Sequence, residues 1–388
     1  MKMNKKLIYK TLFTLIGIVI LSVGGFMAYL MIPSGFQSRQ AEGPKVLTEL
    51  LKMAEESQPF NPDPYISSTY RPGDPLYEPL LYIQRHRQGK AEELLQPLVE
   101  QGNPDAMYWL AQITYDDSYY SSGPAAKLFQ KSAELGNPYA ALRLDISNRE
   151  CQMFMSGYCD QKWGELGRKL LQERTAQGDK KAAYYLLQYD KNSSEEVHKK
   201  LEELVTENAN NHYYQPLMNM IIDYSTQYYL NYFQKEKELP LEDKKIINKL
   251  SMLMANNNFS PAIDGFFYTG DIKSPNKYIH HYFKIGGNWS SCEHYYKDRI
   301  YESRTNIIDA VTCIIIGNIF KKATNNWTSY DIKEAENDWS IQFINEDLEK
   351  SGKNVLSEKE MDLIRKRVVK IVQEMTPMIY IDEMNPRP

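Results

Sequence analysis

The chain has 388 residues, 42% hydrophobic and 25% charged, with 46 basic against 50 acidic side chains and a net charge of −4. That balance excludes the basic excess of a nucleic-acid binder, and 12% aromatic residues supply too much core material for a long disordered body. The compositional oddity is 29 tyrosines, many in pairs such as Tyr119-Tyr120, Tyr184-Tyr185, Tyr213-Tyr214 and Tyr228-Tyr229. A phenol buries a large ring and keeps a polar tip, which suits helix packing first and an exposed binding face second.

Lys2, Lys5, Lys6 and Lys10 precede an uncharged stretch from Thr11 to Ile32, which is long enough for a helix to cross a bilayer. The first basic residue after it is Arg39, so the positive-inside rule predicts a cytoplasmic basic end at residues 1–10, a single transmembrane helix at 11–32, and an exported body. A cleaved signal peptide also runs from basic to apolar, but its apolar core is normally about half as long. Here the apolar run continues through Met31-Ile32, which favours an uncleaved anchor, and no cysteine lies nearby for lipoprotein processing.

Residues 33–80 read as a linker. A short helix is expected around Val46, Leu47, Leu50, Leu51 and Ala54, followed by a connector in which Pro59, Pro62, Pro64, Pro72, Pro75 and Pro79 break regular structure and space the body from the membrane. From Leu81 the pattern becomes helix, turn, helix, and it repeats. Gly102-Asn103-Pro104-Asp105-Ala106 recurs 34 residues on as Gly136-Asn137-Pro138-Tyr139-Ala140. Gly178-Asp179-Lys180-Lys181-Ala182 follows after a further 42, with an insertion between Cys151 and Gly164.

Each motif has a physical logic. Glycine ends one helix in a left-handed conformation, Asn103, Asn137 or Asp179 caps the next, proline tolerates a first turn, and the small Ala106, Ala140 or Ala182 allows close helix approach. A lone hairpin exposes an apolar face, so stacking hairpins buries a continuous core. These residues, with Leu110, Ala111, Tyr115, Ala126, Phe129, Lys131 and Ala133, resemble the Sel-1-like repeat family, relatives of the tetratricopeptide repeats. The match is best from Leu94 to Asp145; the loop from Asp116 to Gly123 is poorer in glycine than is typical of the family. The resemblance implies an all-α fold, an α-solenoid of helix-turn-helix repeats over 81–190.

Residues 191–300 read as degenerate helical repeats, with Asn210-Asn211, Asn256-Asn257-Asn258 and Gly286-Gly287 as eroded turns. The charge runs Glu195-Glu196, Lys199-Lys200 and Glu202-Glu203 fall at spacings for pairs along a helix, with a partner surface as the alternative. Residues 301–388 form a C-terminal helical region. Its apolar helix around Val311 and Ile314-Ile315-Ile316 is core, and a last helix over Ser357–Met375 carries a Ser357/Glu360 capping box and is stopped by Pro377.

Chemistry is sparse. No phosphate loop, zinc helix or nucleophile elbow is present in the sequence, and neither a metal site nor a cofactor is expected. Cys292-Glu293-His294 is consecutive, and consecutive helix residues diverge. His86, between Arg85 and Arg87, reads as part of a solvated basic face. Cys151 and Cys159 are spaced for a small disulfide loop, which an oxidising compartment would preserve. The expected function is therefore binding, by a single-pass bacterial inner-membrane protein with a periplasmic body. Its partner is expected to be a protein, and Tyr108, Trp109, Tyr119, Tyr120 and Tyr139 are candidate anchors. Some anchored Sel-1-like proteins resemble immunity proteins against type VI-secreted phospholipases or other toxins, which sharpens that expectation. An envelope scaffold or signalling regulator is the alternative, and a periplasmic hydrolase a third.

Overall fold

The computed structural model describes residues 43–118, 120–188, 194–229, 239–269, 275–287, 299–322 and 332–388. Among these the protein is all-α, with 18 helices and no strand. The segment predicted to span a membrane, Thr11–Ile32, lies outside the described residues; among the described ones no helix is long and apolar enough to cross a membrane.

The helices are α1 Thr48–Glu56, α2 Tyr77–Gln84, α3 Gln88–Glu100, α4 Pro104–Thr114, α5 Ser122–Glu134, α6 Pro138–Arg143, α7 Arg149–Phe154, α8 Gln161–Ala176 and α9 Lys180–Gln188. They continue as α10 Glu195–Asn210, α11 Gln215–Tyr229, α12 Leu241–Asn256, α13 Ser260–Thr269, α14 Pro275–Lys284, α15 Arg304–Lys322, α16 Ile332–Glu336, α17 Trp339–Lys350 and α18 Glu358–Gln373. From α2 to α6 each helix packs on its neighbour in the chain, α8 then takes the place after α6, and the pattern continues through α9, α10 and α11. The small side chains let the helices close up. Ala106, Ala140 and Ala182 are fully buried, and a Cβ at Gly167 of α8 would lie 2.7 Å from the Leu142 side chain of α6.

The helix starts follow from the sequence. The side chain of Asn103 accepts from the backbone N–H groups of Asp105 and Ala106, that of Asn137 from Ala140, and that of Asp179 from Ala182. These caps satisfy donors that an α-helix cannot pair internally. At the far end, Ser357 and Glu360 form the predicted capping box, and Ile364, Val368, Ile371 and Val372 are buried along one face of α18.

One turn recurs throughout. Gly102, Gly136, Gly178, His212, Asn258 and Gly286 all have positive φ, between 59° and 97°. In every case the next N–H reaches the carbonyl five residues back: Asn103 to Leu98, Asn137 to Ser132, Asp179 to Arg174, Tyr213 to Asn208, Phe259 to Met254 and Gly287 to Tyr282. This is the Schellman closure of a helix. The left-handed residue of the fourth turn is His212, not Asn210 or Asn211, whereas the fifth falls within Asn256–Asn258 as the sequence suggested. Second helices also hold the start of the first helix before them in the same way at separate repeats: Ser132 Oγ donates to the Pro104 carbonyl and Asn208 Nδ2 to that of Lys180.

Two expectations are corrected. The proline-rich connector is not a spacer but is sewn into the body. Asn61 N–H donates to the Asn256 carbonyl, Asn258 Nδ2 to the carbonyls of Asn61 and Asp63, and Ser67 Oγ to the Asn257 carbonyl. α1 likewise packs between α10 and α12. Proline removes regular structure but leaves carbonyls that need partners, and the array supplies them. Secondly, Arg85 is not on a solvated face. Its guanidinium lies 3.5 Å from Met375 Sδ, while His86 is exposed at the left-handed end of α2.

The insertion predicted between Cys151 and Gly164 is α7 and a short 3₁₀ turn, Ser156–Tyr158, closed by a Cys151–Cys159 disulfide. Cys313, buried in α15, is also disulfide-bonded, to a partner outside the described residues. α15 is the core of the C-terminal region and packs on α16, α17 and α18.

Two stability outcomes follow. Gly136→Ala, which forces a Cβ into a left-handed position, should lower stability by about 1–2 kcal/mol, and His212→Gly should raise it by up to about the same amount, read from urea midpoints. Replacing Cys151 and Cys159 together by serine should cost about 2–3 kcal/mol through the lost loop constraint, and the wild-type protein under a reducing agent, which also opens the Cys313 bond, should lose at least as much.

Candidate functional site

After α18 the chain runs without regular structure from Glu374 to Pro388, yet Met375, Pro377, Met378, Ile379, Ile381 and Asp382 are buried. Buried backbone outside helices and sheets must find partners elsewhere. The segment finds them one after another along the helical array. Thr376 and Met378 N–H groups donate to the carbonyls of Lys284 and Ile285 at the end of α14. Gln84 of α2 brackets the chain as a peptide group would, its Nε2 donating to the Met378 carbonyl at 2.9 Å and its Oε1 accepting from Tyr380 N–H at 2.8 Å. Thr69 N–H donates to the Ile379 carbonyl, and Thr69 Oγ1 to that of Ile381.

The centre of the site is ionic. Lys181 of α9 donates from Nζ to Glu383 Oε2 at 2.6 Å and lies 3.8 Å from Asp382 Oδ2. Tyr70 donates to the other Glu383 oxygen at 2.7 Å, Tyr213 donates to Asp382, and Tyr108 of α4 donates to the Glu383 carbonyl. Tyr185 pairs with Tyr213 at 3.0 Å and accepts from Asn385 Nδ2. The Lys181 ammonium also sits over the rings of Tyr139 and Tyr213, 5.0 and 5.4 Å from their centroids, a cation–π arrangement.

The repeat explains the convergence. Asp105, Tyr139 and Lys181 each occupy the second position after a helix cap, so the three first helices α4, α6 and α9 turn equivalent positions toward one groove. Asp105 and Tyr139 both feel the Glu383 charge.

Charges follow from burial and pairing. Burial alone would pull the Lys181 ammonium down, but Asp382 and Glu383 hold it well above its ordinary 10.5. Burial would raise the Glu383 carboxyl, but Lys181 and the Tyr70 hydroxyl hold it below its ordinary 4.5. Burial pushes the phenols of Tyr108, Tyr139, Tyr185 and Tyr213 up, so they remain protonated donors.

Beyond Glu383 the segment becomes half-buried and ends in an exposed latch. Arg387 Nη2 contacts Glu150 Oε1 at 2.8 Å and receives the Tyr115 oxygen as an acceptor. Glu150 of α7 also takes Arg143 of α6 at 2.6 Å, so the disulfide-closed insertion carries the carboxylate on which both arginines meet.

Of the aromatic residues expected to anchor a partner, Tyr108, Trp109 and Tyr139 are buried. Tyr108 meets the chain's own C-terminal segment and Tyr139 lies beneath Lys181, instead of presenting a free surface. Tyr120 is 86% exposed, and Tyr119 lies outside the described residues. The structural residues of the repeat turns, Gly102, Asn103, Gly136, Asn137, Gly178 and Asp179, close and cap the helices from which Tyr108, Tyr139 and Lys181 project. Sequence reasoning missed Gln84, Lys181, Tyr185 and Tyr213; the alignment of Lys181 with Tyr139 was the available signal. Cys292-Glu293-His294 lies outside the described residues, and among the described ones no three potential ligands gather as a metal site. In comparison with known proteins, no family model, curated protein or solved structure matches the chain.

Lys181→Met leaves two buried carboxylates unpaired and should destabilise the protein by about 3–5 kcal/mol, measured by denaturant unfolding. The pH dependence has a defined sign. The lowered Glu383 contributes stability above pH 4.5 that disappears as pH falls through its lower folded value. The raised Lys181 contributes below pH 10.5 and is lost as pH rises through its higher folded value. The melting temperature should therefore fall as the pH drops below 4.5, and Glu383→Gln should flatten that limb of the profile.

Proposed function

We propose that the protein is a non-enzymatic, membrane-anchored α-solenoid of Sel-1-like character whose body, on the periplasmic side of a bacterial inner membrane, binds another protein. The observation that carries the reading is the groove itself. First helices of successive repeats hold an extended peptide through its backbone and through one buried charge cluster, which is the chemistry of protein recognition rather than of bond-making. The recurring Schellman turns and the interlocking of chain-adjacent helices support a solenoid. The Cys151–Cys159 disulfide supports an oxidising compartment, and the uncharged Thr11–Ile32 run with its basic flank supports the anchor and its orientation.

Within that class the sharper reading is an immunity protein that neutralises a secreted toxin, such as a type VI phospholipase effector, by stoichiometric binding. Affinity capture with the full chain in mild detergent, from envelope extracts and from co-culture with neighbouring species, tests it. The expected result is stoichiometric recovery of one secreted toxin whose activity is lost in the complex. Recovery of resident wall or secretion proteins alone would replace immunity by scaffolding, and hydrolysis of lipid or peptidoglycan by the purified chain would overturn the binding reading.

A further inference from the structure

The C-terminal segment shows what the groove selects. Between Met378 and Glu383 it presents apolar residues at 378, 379 and 381, all fully buried, followed by two adjacent acids on a single lysine. Most of the recognition is addressed to main chain: Gln84, Thr69, Tyr108 and the Ile285 carbonyl bond backbone groups that any extended peptide carries. Within residues 378–383, side-chain selection falls on the apolar positions and on the acids, which meet Lys181, Tyr70 and Tyr213. The contacts that close the segment down at its far end are exposed, with Arg387 61% exposed where it meets Glu150.

We propose that this groove is a peptide-binding site whose resident occupant is the chain's own residues 376–388. In this reading a partner is engaged when an extended segment of the partner, apolar residues followed by two adjacent acids, replaces the resident one. The inference rests on the protein-binding reading and names the partner's chemistry. Backbone-directed hydrogen bonds make the exchange near-neutral, since the incoming peptide remakes what the departing one loses. Lys181 supplies the selectivity: a neutral peptide would leave its ammonium buried without a counter-charge. Displacement is easiest from the Arg387 side, where the contacts are exposed and their pairing energies small.

The test uses the full chain in mild detergent and a fluorescein-labelled peptide of residues 376–388, followed by anisotropy. Asp382→Ala combined with Glu383→Ala weakens the resident segment, and the variant should bind the free peptide about ten-fold more tightly than the wild type does. Adding Lys181→Met should remove that gain, and a peptide with both acids replaced by alanine should not bind. Equal, negligible binding to wild type and folded variant would overturn the proposal. So would a dimer in light scattering, which would assign the groove to the same segment of a second copy.

Hydrogen exchange of the wild type covers the case in which the variant does not fold. The Met378 and Ile379 amides should exchange about ten-fold faster than those of α4 and α5, through local opening. Exchange no faster than that of the core would make the segment a permanent part of the core and overturn the proposal. Failure here alongside successful capture of a protein partner would move the interface to another surface and leave the protein-binding reading intact.

Discussion

The buried ammonium of Lys181, held between Asp382 and Glu383, fixes the last residues of the chain against the middle of the helical array. Bringing those charges out of water is costly unless each has its partner, and the surrounding phenols meet the remaining hydrogen-bonding demand. Because the acids belong to the last residues and the lysine to the middle of the array, their meeting point sets the path of everything between. The segment's backbone touches Thr69, Gln84 and Ile285 on the way, so its docking requires α2, α9 and α14 to be in place already. Helix pairs close locally through their own turns, and the long-range stitch comes after them.

The parts of this architecture visible in the sequence are those set over short distances. Asn103, Asn137 and Asp179 cap helices because the donors they satisfy are two or three residues away, and Ser357 with Glu360 closes its box within one turn. The turn at His212 was legible only approximately: asparagine tolerates the left-handed region well, so the neighbouring Asn210 and Asn211 were the natural choices, and the packing around Asn208 shifts it onward. The filling of the groove was not legible. Met378-Ile379-Tyr380-Ile381 after a helix-stopping proline is a short apolar run without periodicity, and its partners lie up to 312 residues away. The same distance hides the role of the connector, where proline content indicates irregular backbone but not the asparagines that receive it.

The insertion at α7 joins two kinds of constraint. The Cys151–Cys159 bond limits the freedom of a short helix whose Asn148 cap accepts from Glu150 and Cys151 N–H groups. That rigidity positions the Glu150 carboxylate between Arg143 of the repeat array and Arg387 of the terminal segment. A departure from the 34-residue period, which in sequence looks like an interruption, thereby supplies the rim of the groove.

The Schellman turns have a consequence for how such a chain can change. Each requires one left-handed residue and one bond five residues back, a condition met in the six turns described between Gly102 and Gly286 by glycine four times, by histidine once and by asparagine once. The spacing between them ranges widely without altering the closure, so the geometry constrains backbone conformation far more than residue identity. An array built on such a rule can retain its shape while its copies lose resemblance to one another. Descent of this kind would be traced better by the positions of left-handed residues than by the letters that occupy them.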